Sequence, residues 1–124
     1  MKSLRAIGGL YVLSALWCIV SLDVSANSLG FGFLNPAAQV EYFSVYGGLQ
    51  LGLGIAMIAV SFKPPLLMGG LFFSVVFSWV LAVSRIVGLL LYATSPLMWA
   101  LLMLEACIAL ALSYSWKKHQ AREQ

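Results

Sequence analysis

All four prolines of this chain fall at breaks between long apolar runs, at Asn35-Pro36, Lys63-Pro64-Pro65 and Ser95-Pro96. Proline cannot continue a helix but fits its first turn, so these breaks divide the sequence into four helices. Three of the runs exceed the roughly 20 residues that a bilayer's apolar core needs, and the first is at the short end of that requirement. The sequence predicts helices over 6–22, 36–62, 66–91 and 96–116, with 117–124 as a basic, frayed tail. The runs are continuous and lack period-two alternation, which argues against a lipid-facing β-barrel. Only 9% of residues are charged, against about a quarter in a soluble domain, so there is too little polar surface for a water-soluble globule. The expected fold is all-α, a single polytopic membrane domain over 1–124 forming a four-helix bundle.

The charges fix the expected orientation. Lys2, Arg5, Lys63, Lys117, Lys118 and Arg122 flank one side of the runs, and the segments Asp23–Asn35 and Tyr92–Pro96 carry no Lys or Arg. By the positive-inside rule both termini are cytoplasmic, and the expected location is a bacterial-type inner membrane. The first run competes with a signal peptide, having a basic start and Val24-Ser25-Ala26 as a cleavage-like sequence. Its 17 uncharged residues, Ala6–Leu22, exceed the usual apolar core of about 7–15 and favour a retained helix. Gly8-Gly9-Leu10-Tyr11 resembles Gly69-Gly70-Leu71-Phe72, each a similar distance before a cap-proline pair, which is compatible with a parallel duplication of a helical hairpin.

The second run organises the rest. At 100° per residue Glu41, Ser44, Gly48, Gly52 and Ala59 share one arc, a small-residue face suited to close helix packing, alongside Gly47. Tyr46 and Gln50 lie roughly opposite, where a buried amide also needs a partner. On the third run Gly70, Ser74, Ser78, Ala82 and Gly88 form a second small-residue face around Arg85. Glu41, Arg85 and Glu105 are the ionisable groups inside the runs, at similar expected depths. Each costs about 2.5–3.5 kcal/mol at mid-membrane on insertion scales. Mutual pairing is the expected offset: Arg85 bridging Glu105, with Glu41 completing or capping a triad. That cluster reads either as a structural pin or as a polar pocket.

Cys18 and Cys107 differ in expected depth by roughly 8 Å, which disfavours a disulfide. The single histidine, His119, lies in the tail, so no metal or haem site is expected and no cofactor is implied. There is also no nucleophile–base pair, and no enzyme activity is expected. Nothing basic is patterned for nucleic acid.

Glu41, the Val45-Tyr46-Gly47-Gly48-Leu49-Gln50-Leu51-Gly52 segment, Arg85 with Gly88, and Glu105 together resemble one family over nearly the whole chain. It is the bacterial domain of unknown function number forty-three forty-five, small four-helix membrane proteins. The resemblance implies the four-helix fold and brings no established activity. The layout is more loosely similar to DoxX-like and Erg28-like membrane proteins, the latter suggesting scaffolding beside membrane enzymes. Two functions follow as expectations. One is a non-catalytic accessory subunit packing on another membrane protein or on a second copy. The other is a binder of a lipophilic, even anionic, small molecule near Arg85. A proton-coupled small multidrug transporter fits less well, because its essential acid belongs in the first helix and its topology is weakly biased.

Overall fold

A computed structural model describes residues 1–92 and 96–123, with the side chain of Glu123 excepted. The helices are α1 (Lys2–Val20), α2 (Leu22–Ser28), α3 (Pro36–Tyr42), a π-helical segment (Phe43–Leu49), α4 (Gln50–Ser61), α5 (Pro64–Leu91) and α6 (Pro96–Glu123). Four continuous stretches are long and apolar enough to cross a membrane: Lys2–Val20, Pro36–Ser61, Pro64–Leu91 and Pro96–Arg122. Large apolar side chains such as Leu13, Phe73, Val80 and Leu90 stand exposed along them, as expected of surfaces that face lipid. The chain forms two compact units, one of Arg5–Ala59 and one of Met1–Leu4 with Val60–Gln124.

In the Arg5–Ala59 unit, α1 stops where Ser21 leaves helical geometry at φ −115° and ψ 62°. The segment expected as a loop then holds the short helix α2, and a Schellman motif closes it. Phe31 N–H donates to Ala26 C=O at 2.8 Å, and Gly30 N–H to Asn27 C=O at 3.1 Å. Gly30 sits at φ +90°, a left-handed turn that an L side chain resists. The chain re-enters helix at α3, where Asn35 Oδ1 accepts from Ala38 N–H at 3.0 Å and Pro36 occupies the first turn.

The π segment changes which face of this span is buried. Tyr42 and Gly54 are both buried. Twelve steps of an α-helix would turn them about 120° apart. The wider π turn absorbs one extra residue and returns both to one face.

In the other unit α5 and α6 pack against each other. Pro64 and Pro65 open α5, and its end is marked by Tyr92 in extended geometry, with Tyr92 N–H still bonded to Gly88 C=O at 3.0 Å. Gly70, Ser74, Ser78 and Ala82 recur every fourth residue, the row spacing along which helices interlock. Leu71, Ser74, Ser78 and Ala82 are buried. The first residues join this unit: Ser3 Oγ and Ser115 Oγ are 2.7 Å apart, and the Met1 amino nitrogen donates to Ser61 C=O at 3.5 Å. The tail expected to fray is instead helical to Glu123, because Ser115 and its neighbours on α6 have partners to hold them. The expected Ser95 cap lies outside the described residues.

Candidate functional site

Within the Val60–Gln124 unit, Arg85 on α5 and Glu105 on α6 form a two-pronged ion pair. Arg85 Nε donates to Glu105 Oε2 and Nη2 to Oε1, both at 2.7 Å. The planar fork of guanidinium matches a carboxylate, giving the strongest kind of charge-assisted hydrogen bond. Arg85 Nη1 also lies 3.3 Å from Met98 Sδ. The side chains keep 25% and 12% exposure respectively, so the pair is half-buried between its helices. A cavity of about 390 Å³ lies beside it, walled by Leu81, Ser84, Leu89, Tyr92 and Met98 with Arg85 in the lining. Lower on the same interface Trp79 Nε1–H donates to Ser113 Oγ at 2.7 Å. Ser78 Oγ is buried with no hydrogen-bond partner among the described residues.

Glu41 belongs to the Arg5–Ala59 unit, where it is exposed, whereas Arg85 and Glu105 pair within the other unit.

The glycines of the second span fall into two sets. Gly48 and Gly52 are exposed, and a Cβ on either would meet nothing within 4 Å. Ser44 and Ala59 on the same side are exposed as well. The close crossing of this hairpin uses other glycines. A Cβ on Gly54 would stand 2.7 Å from Gly8 C=O and 2.8 Å from Val12 Cγ2, and one on Gly8 would stand 2.9 Å from Gly54 C=O. Gly47 faces Ile19, at 2.6 Å from such a Cβ. In the second unit Gly70 meets Val60 at 2.7 Å, whereas Gly88 is open. The repeat motif thus packs its first glycine in one copy, Gly8, and its second in the other, Gly70. One residue of offset turns a contact by about 100°.

Tyr46 and Gln50 lie on the packed side. Gln50 Oε1 accepts from Ser14 Oγ at 3.2 Å. Tyr46 stacks on Tyr42, with ring centroids 4.8 Å apart and planes 18° from parallel. Phe31 meets both tyrosines edge-on at 5.4 and 5.3 Å, and Phe33 meets Tyr42 at 5.5 Å. Tyr42, only 4% exposed, shares a hydrogen bond with Ser25 Oγ at 2.9 Å and donates to Cys18 Sγ at 3.5 Å. The sequence singles out Phe31 and Phe33 as cap or interface residues and Tyr46 on the second span, but not Tyr42, Ser25 and Cys18 as the group they pack on. Gly30 at a left-handed helix end, followed directly by Phe31, was the available signal. Cys18 and Cys107 are free thiols. No family model, curated protein or solved structure matches the chain.

Proposed function

We propose that the protein is a non-catalytic accessory or scaffold subunit of the membrane, holding a transmembrane helix of another protein on the Gly48–Ala59 side of its second span. The observation that carries this reading is the open face of Ser44, Gly48, Gly52 and Ala59. Lipid tails gain nothing from small residues, whereas an incoming helix uses them to bring backbones together. Glu41, also exposed on this span and turned to its flank by the π segment, offers a carboxylate for a polar or basic group at the edge of that partner. The proposed setting is a four-helix bundle of two like-oriented hairpins in a bacterial inner membrane. Both termini are cytoplasmic, a topology supported by six basic flanking residues against none. The looser likeness of layout to Erg28-like scaffolds fits such a role.

Native mass spectrometry of the protein released gently from its own membrane tests this. A protein co-released at fixed stoichiometry is expected, and Gly48→Leu with Gly52→Leu abolishes its capture, while Leu13→Ala on the exposed surface of α1 leaves it intact. Capture unaffected by the glycine changes overturns the docking face. Tags at Asn27 and Ser95 are expected to label from outside, and the C-terminus not.

The cavity beside Arg85 favours a second reading, a binder of a lipophilic molecule. Its volume of about 390 Å³ falls in the usual range for small-molecule sites, roughly 300–1,000 Å³. Glu105 already neutralises the guanidinium, so an uncharged lipophile with one acceptor suits it better than an anion. A small molecule retained in the same spectra and expelled by Leu81→Trp supports this reading; retention unchanged by that variant counts against it.

A further inference from the structure

The basic end of the Val60–Gln124 unit holds a second, larger cavity of about 670 Å³, and its walls differ in kind from those beside Arg85. Lys2, Lys118, His119 and Arg122 line it together with Ser3, Ser115, Leu67 and Tyr114. Ser115, Lys118, His119 and Arg122 lie at i, i+3, i+4 and i+7 along α6, which is one face of the helix. Lys2 comes from the first turn of α1, held there by the bond of Ser3 Oγ to Ser115 Oγ at 2.7 Å and by the fully buried Leu4. The cations are therefore gathered by a packed junction and not by a loose tail. No carboxylate lines the cavity among the described residues. Like charges brought together at a low-dielectric wall repel, and an anion between them removes that repulsion.

We propose that this cavity binds a phosphate ester anion, with Lys2, Lys118 and Arg122 as its charge partners. Arg122 offers the forked donor geometry that suits phosphate oxygens, and the lysines act as point charges beside it. Leu67 and Tyr114 supply an apolar floor, which a free phosphate does not use and the glycerol and acyl base of an anionic phospholipid does. Clusters of Lys and Arg directly beside a membrane helix are the usual recognition device for such headgroups.

The test uses the full-length protein in phosphatidylcholine nanodiscs doped with phosphatidylglycerol, with lipid occupancy read by native mass spectrometry. Preferential retention of phosphatidylglycerol is expected. Lys118→Gln with Arg122→Gln is expected to weaken it roughly twenty- to thirty-fold, the effect of two near-surface charges. Lys117→Gln, which alters an exposed charge outside the cavity, is expected to change it little. Inorganic phosphate and glycerol phosphate, added as competitors, separate the sources. Displacement at millimolar concentration assigns a soluble phosphate ester, and no displacement assigns the lipid headgroup. Equal retention of both lipids with no phosphate binding overturns the proposal, as does an equal loss in Lys117→Gln. Circular dichroism and Lys118→Arg, expected to retain binding, guard against a folding defect.

Discussion

In Arg5–Ala59 the helices are tied by neutral groups: the Tyr42 hydroxyl against Ser25 and Cys18, Ser14 against Gln50, and aromatic rings packed over the hairpin end. In Val60–Gln124 the corresponding tie is a bidentate ion pair between two helices of 28 residues each. The neutral tie needs an elaborate backbone, with a short helix, a left-handed glycine and a π segment, to bring its groups to one place. The ionic tie is made between regular helices, because long side chains span the gap. The two solutions differ in how they fail. Removing one hydroxyl from the first leaves small dipoles among rings, whereas removing one partner from the second leaves a whole charge.

The largest expected effect therefore lies in the second unit. Arg85→Ala or Glu105→Ala each remove one partner of the half-buried ion pair, and such a loss costs about 3–5 kcal/mol. Because Arg85 keeps 25% exposure, the lower end of that range is expected. Unfolding of the full-length protein in mixed micelles measures this. Replacing both, Arg85→Met with Glu105→Leu, is expected to restore most of the loss, since the apolar pair carries no desolvation penalty. Single variants costing under about 0.5 kcal/mol would instead mark the pair as equivalent to an exposed surface bridge.

A middle-sized effect separates two glycines of the second span. Gly54→Val forces its Cβ against Gly8 C=O and Val12, at 2.7 and 2.8 Å before any relaxation. Overpacking of this kind costs roughly 1–3 kcal/mol. A Cβ at Gly52 meets nothing within 4 Å, so the stability of Gly52→Ala is expected within about 0.5 kcal/mol of the parent. The same unfolding assay reads both, and equal losses would mean that the open face is not open in the membrane.

The four membrane-length helices were legible because proline breaks and apolar run length act locally, through backbone hydrogen bonding and the thickness of the bilayer core. Arg85 and Glu105 were legible as partners because each lies deep in an apolar run, and an unpaired charge there is costly. The packed face of the second span was not. A helical wheel carries one fixed angle per residue, and the π segment over Phe43–Leu49 breaks that assumption in the middle of the span. Small residues also mark a close approach without saying whether the approaching helix belongs to the same chain. Gly8 and Gly54 meet each other, while Gly48 and Gly52 look identical in sequence and meet nothing. The helix over Leu22–Ser28 escaped notice because its residues are too polar for an apolar run and its end depends on Gly30.

That extra residue gives the smallest expected effect and the sharpest contrast between the units. Deleting Val45, which is 39% exposed, leaves eleven steps from Tyr42 to Gly54. Eleven steps of an ordinary α-helix total about 1,100°, only some 20° from three full turns. Both residues then keep one face without any π turn, and Tyr46 falls three residues from Tyr42 instead of four, still on its side. A stability loss below about 1 kcal/mol is expected, with unchanged helix content by circular dichroism. Deleting Val76 from α5, 45% exposed in its own unit, has no such reserve. It turns Gly70 and Ser74 by about 100° relative to Ala82 and Arg85, so the Gly70 contact with Val60 and the Arg85 pair with Glu105 can no longer form together. If the two deletions prove equally damaging, the π segment is a required part of the first hairpin. If only the second is damaging, the extra residue is dispensable for packing within the first hairpin.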